Sequence, residues 1–186
     1  MRTPTTSTGM TLWLTGLPGS GKSTLAQALA RELGGSGFRT QVLDGDELRA
    51  NLSADLGFTE RDRNEHTRRV GFVAQLLAGH GVVVLVPVIA PYRRSRADVR
   101  AHHEQRGTPY VEVHVSTPVS ECMQRDPKGL YAKAAAGRIP NLTGYNDTYE
   151  EPDSPDIRVD TTDIDLNGAS ELVMKLLAKR GLPVGS

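Results

Sequence analysis

Leu12-Trp-Leu-Thr-Gly-Leu-Pro-Gly-Ser-Gly-Lys-Ser-Thr-Leu25 is the stretch on which the fold turns. A short apolar run closes on Gly16, and Gly16 to Ser23 matches G-x-x-x-x-G-K-[ST], the phosphate-binding loop. Glycines let the backbone curl so that several N–H groups converge on one anion. A helix starting near Lys22 adds its positive end. Lys22 supplies a mobile charge for the outer phosphates, and Ser23 a hydroxyl for Mg²⁺. The strand-like run before the loop and the helical spacing of Thr24 to Leu33 after it are the setting the pattern requires. The expectation is a nucleoside triphosphate held by Gly16, Leu17, Pro18, Gly19, Ser20, Gly21, Lys22, Ser23 and Thr24.

The rest of the composition narrows the class. A chain of 186 residues suits one domain with a sizeable core. Lys plus Arg number 22 and Asp plus Glu 22, so the formal net charge is zero and no general electrostatic case for nucleic acid or membrane arises. Cys122 stands alone, which excludes an internal disulfide framework, and no zinc-type spacing occurs. No apolar run approaches the ~20 residues of a membrane span. Residues 1–9 are Thr/Ser-rich without an apolar stretch. They read as a disordered lead-in rather than a signal peptide, and a soluble cytoplasmic protein is expected. Residues 10–180 are expected to form one domain, and residues 181–186 a tail.

Outward from the loop, strands are predicted at Met10–Thr15, Thr40–Leu43, Val82–Val88, Tyr110–Val115 and Ile157–Val159. Helices are predicted at Lys22–Leu33, Glu47–Leu52, Glu60–Ala78, Tyr92–Gln105, Pro118–Arg125 and Gly168–Lys179. Strand, helix, strand implies parallel pairing, and the continuously apolar Val82 to Val86 reads as a strand beside the first one. Asp44-Gly45-Asp46 falls past a strand's carboxyl end, where open α/β sheets place ligands. It reads either as an Asx turn with Asp46 capping a helix, or as carboxylates serving a metal's waters or accepting a proton.

On the long helix, Val70, Val73, Ala74 and Leu77 form a buried stripe that extends backwards to Thr67, His66 and Arg63, a polar continuation that suggests a site rim. Arg61, Arg68 and Arg69 lie off it and read as solvated. The arginines of Tyr92–Gln105 read mostly as a solvated face. On the last helix Leu172, Val173, Leu176 and Leu177 read as inward. The histidines at 80, 102, 103 and 114 read as structural, and Cys122 as a buried neutral thiol. Asp126 to Glu150 is rich in Gly, Lys, Ala and Asn with little apolar pattern, and reads as a mobile lid over nucleotide.

The motifs together resemble the adenylylsulfate kinase family. They are the loop Gly16 to Ser23; Leu43-Asp-Gly-Asp46 with Arg49; Leu56-Gly-Phe58; Asp62-Arg63 leading to Arg68-Arg69; Pro91-Tyr92-Arg93; Asp126-Pro-Lys-Gly-Leu-Tyr131 with Lys133; and Leu142-Thr-Gly144 with Tyr149-Glu150. The loop is shared by many activities; its conjunction with the Asp-Pro-Lys-Gly-Leu-Tyr segment is far more specific.

The resemblance implies a P-loop three-layer α/β/α fold with a mainly parallel five-stranded sheet, of the nucleoside-monophosphate-kinase architecture. It implies transfer of the γ-phosphoryl of MgATP to the 3′-hydroxyl of adenylylsulfate. Lys22, Asp46 and Asp44 would be catalytic. Ser23 would hold Mg²⁺, with Asp46 acting through water. Arg125 would contact the donor adenine. Arg49 and Arg63 would grip the phosphosulfate, Phe58 would stack on the acceptor's adenine, and Lys128 and Lys133 would act from the lid. Ile89, Ala90, His66 and Leu142 would complete the acceptor pocket. A homodimer is implied, with ATP sulfurylase as a further partner.

This chain departs from the family's usual pattern at His66 (usually Asn), Thr67 (Ile), Ala90 (often Ser), Leu142 (often Phe) and Asn146 (often Asp). An imidazole with an ordinary pKa of about 6.5 at His66 would make the acceptor KM change near that pH. His66 and Asn146 leave room for a relative retuned to another anionic nucleotide-like or small hydroxyl acceptor; a nucleotide-binding partner of ATP sulfurylase without turnover is a third reading, against which the intact Lys22, Ser23, Asp46, Arg49 and Arg63 argue.

Overall fold

The computed structural model describes residues 9–182. The lead-in, except Gly9, and the last four residues of the expected tail lie outside the described residues. Five strands, β1 (Met10–Gly16), β2 (Thr40–Val42), β3 (Val83–Pro87), β4 (Tyr110–Val115) and β5 (Ile157–Val159), form one parallel sheet in the order β2-β3-β1-β4-β5. β1 is central. Strand β3 inserts between β1 and β2, so the first strand–helix–strand unit skips one position. Parallel strands need long crossovers, and the helices supply them: α1 (Lys22–Gly35), α2 (Gly45–Leu52), α3 (Glu60–Gly79), α4 (Arg93–Gln105), α5 (Val119–Arg125), α6 (Leu130–Ala135) and α7 (Leu166–Lys179).

The period of two in the strands sorts side chains into two cores. Met10, Leu12 and Leu14 of β1 face α1 and α7, against Leu25, Ala26, Leu29, Val173 and Leu177. Trp13 faces the other way, with Val84 and Val86, against Val70 and Ala74 of α3 and Val99 of α4. The two threonines of β1 on that face are buried and bonded. Thr11 Oγ1 lies 2.9 Å from His103 Nε2, and Thr15 donates to the Ile89 carbonyl at 2.6 Å. Among the described residues no helix is long and apolar enough to cross a membrane.

Several boundaries and faces differ from the sequence reading. Helix α1 runs through Gly34 and Gly35 before it ends, because its earlier turns are held by core packing. Leu172 is exposed on α7, where Ala169, Ser170, Val173 and Leu177 make the buried stripe. Gly9 and Leu182, assigned to the lead-in and tail, are buried, and the Leu182 N–H donates to the Leu177 carbonyl. The lid segment carries α6 and a small core of its own, in which Tyr131, Ala134 and Leu142 pack on Cys122. The Tyr131 hydroxyl donates to the Pro18 carbonyl at 2.9 Å, tying the lid to the phosphate loop.

Candidate active site

All five strands point their carboxyl ends at one cavity of about 770 Å³, which suits a small-molecule site. The phosphate loop forms its floor. A Cβ at Gly16 would sit 2.4 Å from the Val115 carbonyl, so only glycine lets β1 turn there against β4. Gly16, Leu17 and Ser20 back the loop, while Pro18, Gly19, Gly21, Lys22, Ser23 and Thr24 line the cavity. The Lys22 ammonium is folded onto the loop and donates to the Leu17 carbonyl at 2.6 Å. Burial lowers its pKa to about 8.

Asp44, not Asp46, caps α2: its carboxylate accepts from the backbone N–H of Asp46 at 2.9 Å and of Glu47 at 3.4 Å. This releases Asp46, which projects into the cavity from the first turn of α2 and pairs with Lys128 of the lid. Beside the loop, Arg125 lines the cavity and donates to the side chain and carbonyl of Thr161 at 2.7 and 2.8 Å. Thr161 in turn donates to the Ser20 carbonyl at 3.2 Å. The loop after β5, with Thr161, Ile164 and Leu166 on the cavity, was missed in the sequence. Its only signal there was its place past a strand's carboxyl end.

A second group lies across the cavity. The Phe58 ring is 60% exposed, and the Arg49 and Arg63 guanidiniums sit 4.8 and 5.6 Å from its centroid. Arg49 donates to the Gly57 carbonyl at 2.7 Å. Arg63 donates to the carbonyls of Phe58 and Asn141 at 2.9 and 2.8 Å and meets Asp147 at 3.1 Å. Arg63, His66 and Thr67 share the buried face of α3 as the spacing predicted.

His66 Nδ1 lies 2.9 Å from the hydroxyl of the fully buried Ser53. Burial, then the charges of Arg49 and Arg69, push the imidazole down to about 4. The expected titration near pH 6.5 is therefore corrected: His66 is neutral there. Arg69, off the buried stripe, is half-buried rather than solvated: it bridges Asp55 and Glu65 and donates to the Leu52 carbonyl at the end of α2.

Ile89 and Ala90 form a wall of the cavity beside these residues. Ala90 has φ +43°, a left-handed conformation that costs an L-residue about 1–2 kcal/mol. Two candidates stand apart: Lys133 is exposed on α6, and Leu142 is buried in the lid's core, neither on the cavity wall. Among the described residues no cluster of three or more His, Cys, Asp or Glu could hold a metal. The donors that do face the cavity, the Ser23 hydroxyl and the Asp46 and Asp44 carboxylates, are oxygens. They fit Mg²⁺ carried in on nucleotide phosphates.

Residues 8–160 match the family model for adenylylsulphate kinase. The chain belongs to that family. It is 49% identical over 176 residues to an adenylyl-sulfate kinase of Myxococcus xanthus, which covers 95% of each chain. It is 50% identical to the bifunctional enzyme NodQ of Azospirillum brasilense over 92% of this chain, which spans only 27% of that longer protein. Among solved structures, the Mycobacterium tuberculosis APS kinase CysC in complex with AMPPNP and APS superposes with a TM-score of 0.89 at 46% identity. That match covers 91% of this chain and 98% of the other.

Family membership accounts for the joining of the two halves of the cavity. The Gly16–Ser23 loop alone is a general phosphate cradle. The Arg49–Phe58–Arg63 group opposite it is what the family's Leu-Gly-Phe and Asp-Arg motifs build here.

Proposed function

We propose that the protein transfers the γ-phosphoryl group of ATP to the 3′-hydroxyl of adenylylsulfate, giving 3′-phosphoadenylylsulfate and ADP. The observation that carries this is one continuous cavity joining a phosphate-binding loop to an aromatic ring flanked by two guanidiniums. An adenine stacks on Phe58, and the anionic phosphosulfate meets the forks of Arg49 and Arg63. The loop N–H groups and Lys22 hold the donor's phosphates, and Arg125 lies by its base. Ser23, with Asp46 acting through water, would hold Mg²⁺ on the nucleotide, and the ion would supply charge neutralisation to the transferring phosphoryl group.

In the reaction the acceptor oxygen forms a bond to the γ-phosphorus as the bond to the ADP oxygen breaks. The hydroxyl proton passes to the Asp46 carboxylate. Catalysis is mainly positioning and charge neutralisation. The homodimer, the cytoplasmic setting and association with ATP sulfurylase belong to the same proposal, on the strength of the family resemblance.

The test is ADP release with adenylylsulfate against a panel of anionic and small hydroxyl acceptors. Turnover should be specific to adenylylsulfate. Asp46→Asn should lower kcat by roughly 10²-fold or more without changing the melting temperature. Preference for another acceptor, or nucleotide binding without any turnover, would reject the reading. Near-native kcat in Asp46→Asn would remove Asp46 from the mechanism.

A further inference from the structure

We propose that Arg96 is a positioning residue for the acceptor wall: its guanidinium holds Ala90 in the left-handed conformation and fastens that turn to the end of the lid. The proposal rests on the function given above. Arg96 belongs to α4, whose arginines read in the sequence mostly as a solvated face, yet it is only 3% exposed. Its Nη1 donates to the Ala90 carbonyl at 2.6 Å and its Nη2 to the Glu150 carbonyl at 2.6 Å. Its Nε lies 3.2 Å from a Glu112 carboxylate oxygen, which balances the buried charge. The Tyr149 ring centroid is 5.8 Å from the guanidinium carbon.

Nothing intrinsic to Ala90 favours φ +43°. Alanine has no polar side chain to stabilise a left-handed backbone, as Asn or Asp can. The following Pro91 biases the residue before it towards extended conformations. The turn is therefore held from outside. Three successive carbonyls are drawn into the protein: Ile89 by the Thr15 hydroxyl, Ala90 by Arg96, and Pro91 by the Glu150 N–H at 2.8 Å. Among the described residues the N–H groups of Ile89 and Ala90 have no protein acceptor, and both residues lie on the cavity. The clamp thus leaves two backbone donors without a protein acceptor on residues that wall the cavity. Arginine is required because one planar fork must bridge two carbonyls with a carboxylate at ion-pair distance; an ammonium is a single point charge.

The experiment compares Arg96→Lys and Arg96→Gln with the unsubstituted protein, each alone and combined with Ala90→Gly. Acceptor KM, kcat and the affinity for a non-hydrolysable ATP analogue are measured on the same samples. Each single substitution should raise the acceptor KM about tenfold or more, with analogue affinity within about twofold. Adding Ala90→Gly should recover about threefold or more of that loss, because glycine takes positive φ without strain. An unchanged acceptor KM, an equal loss of analogue affinity, or double variants no better than the singles would overturn the proposal. Failure of the underlying functional reading is distinct: the unsubstituted protein would then bind nucleotide but not turn over adenylylsulfate.

Discussion

Lys22 lies folded on its own loop, donating to the Leu17 carbonyl, with its pKa lowered to about 8 by burial. A bound triphosphate raises that pKa again, so between about pH 8 and 9 the complex holds more protons than the separate species. ATP affinity should therefore weaken as pH rises through about 8. Calorimetry near pH 8.5 in buffers of different ionisation enthalpy should register proton uptake; no uptake would reject the assignment. Lys22→Ala should cost roughly 10²- to 10³-fold in kcat, the scale for losing a preorganised charge stabiliser.

His66 carries the opposite pH lesson. Its folded pKa, about 4, is below that of an unfolded histidine, about 6.5. The unfolded chain therefore binds the proton first as pH falls. The associated stability is fully present above about pH 6.5 and is lost towards about pH 4, and His114, also lowered to about 4, acts in the same direction. The melting temperature should fall from about pH 7 to about 5, less steeply in His66→Asn. Acceptor KM should show no inflection from His66 between about pH 5.5 and 8, and His66→Asn should keep its turnover. A melting profile unchanged by His66→Asn would remove the residue from this linkage. Asn146 has a local explanation for its departure from the family's pattern: its amide accepts from the Leu142 N–H and donates to the Ile139 carbonyl, the second of which a carboxylate cannot do.

At the scale of elements, the packing of α3 on α4 decides where the acceptor-side residues of α3 stand. Gly71 makes that approach possible: a Cβ there would lie 2.6 Å from a Val99 methyl. Overpacking of this kind costs about 1–3 kcal/mol. Gly71→Ala should accordingly lower the melting temperature by about 2–12 °C. An unchanged melting temperature would show that Val99 yields freely and that the close approach is not required. The lid is the element whose periodicity misled. Its apolar residues, Leu130, Tyr131, Ala134, Ile139 and Leu142, fit no single helix or strand spacing because two short turns and α6 bring them onto Cys122 from different directions.

The molecule as a whole joins the phosphate loop and the Arg49–Phe58–Arg63 group in a single cavity, and this bears on the route of transfer. Some members of the resembled family carry a serine where Ala90 stands; a methyl group cannot accept a phosphoryl. The nearest aliphatic hydroxyl in sequence, Ser95, is buried and donates to the Tyr92 carbonyl. Direct in-line transfer within one ternary complex is the expected route. Initial-rate lines should intersect, and γ-labelled ATP without acceptor should leave no label on the protein. Parallel lines, or turnover-competent labelling of a side chain, would overturn direct transfer.

Local rules made much of this protein legible from its residues alone. A glycine loop between an apolar run and a helical pattern could be little else than a phosphate cradle. The i, i+3, i+4 spacing from Arg63 to Leu77 placed a polar rim at the end of a buried stripe, and α3 bears it out through Arg63, His66 and Thr67. These inferences hold because they depend on neighbours within a turn or two. Tertiary structure decided the partners that lie far apart in the chain. Arg96 meets Glu150, Thr161 meets Ser20, and Leu182 closes the α1–α7 core. Periodicity reports which face of an element turns inward but not what waits there. An arginine that reads as solvated becomes a buried clamp when a carboxylate and two carbonyls from other elements converge on it.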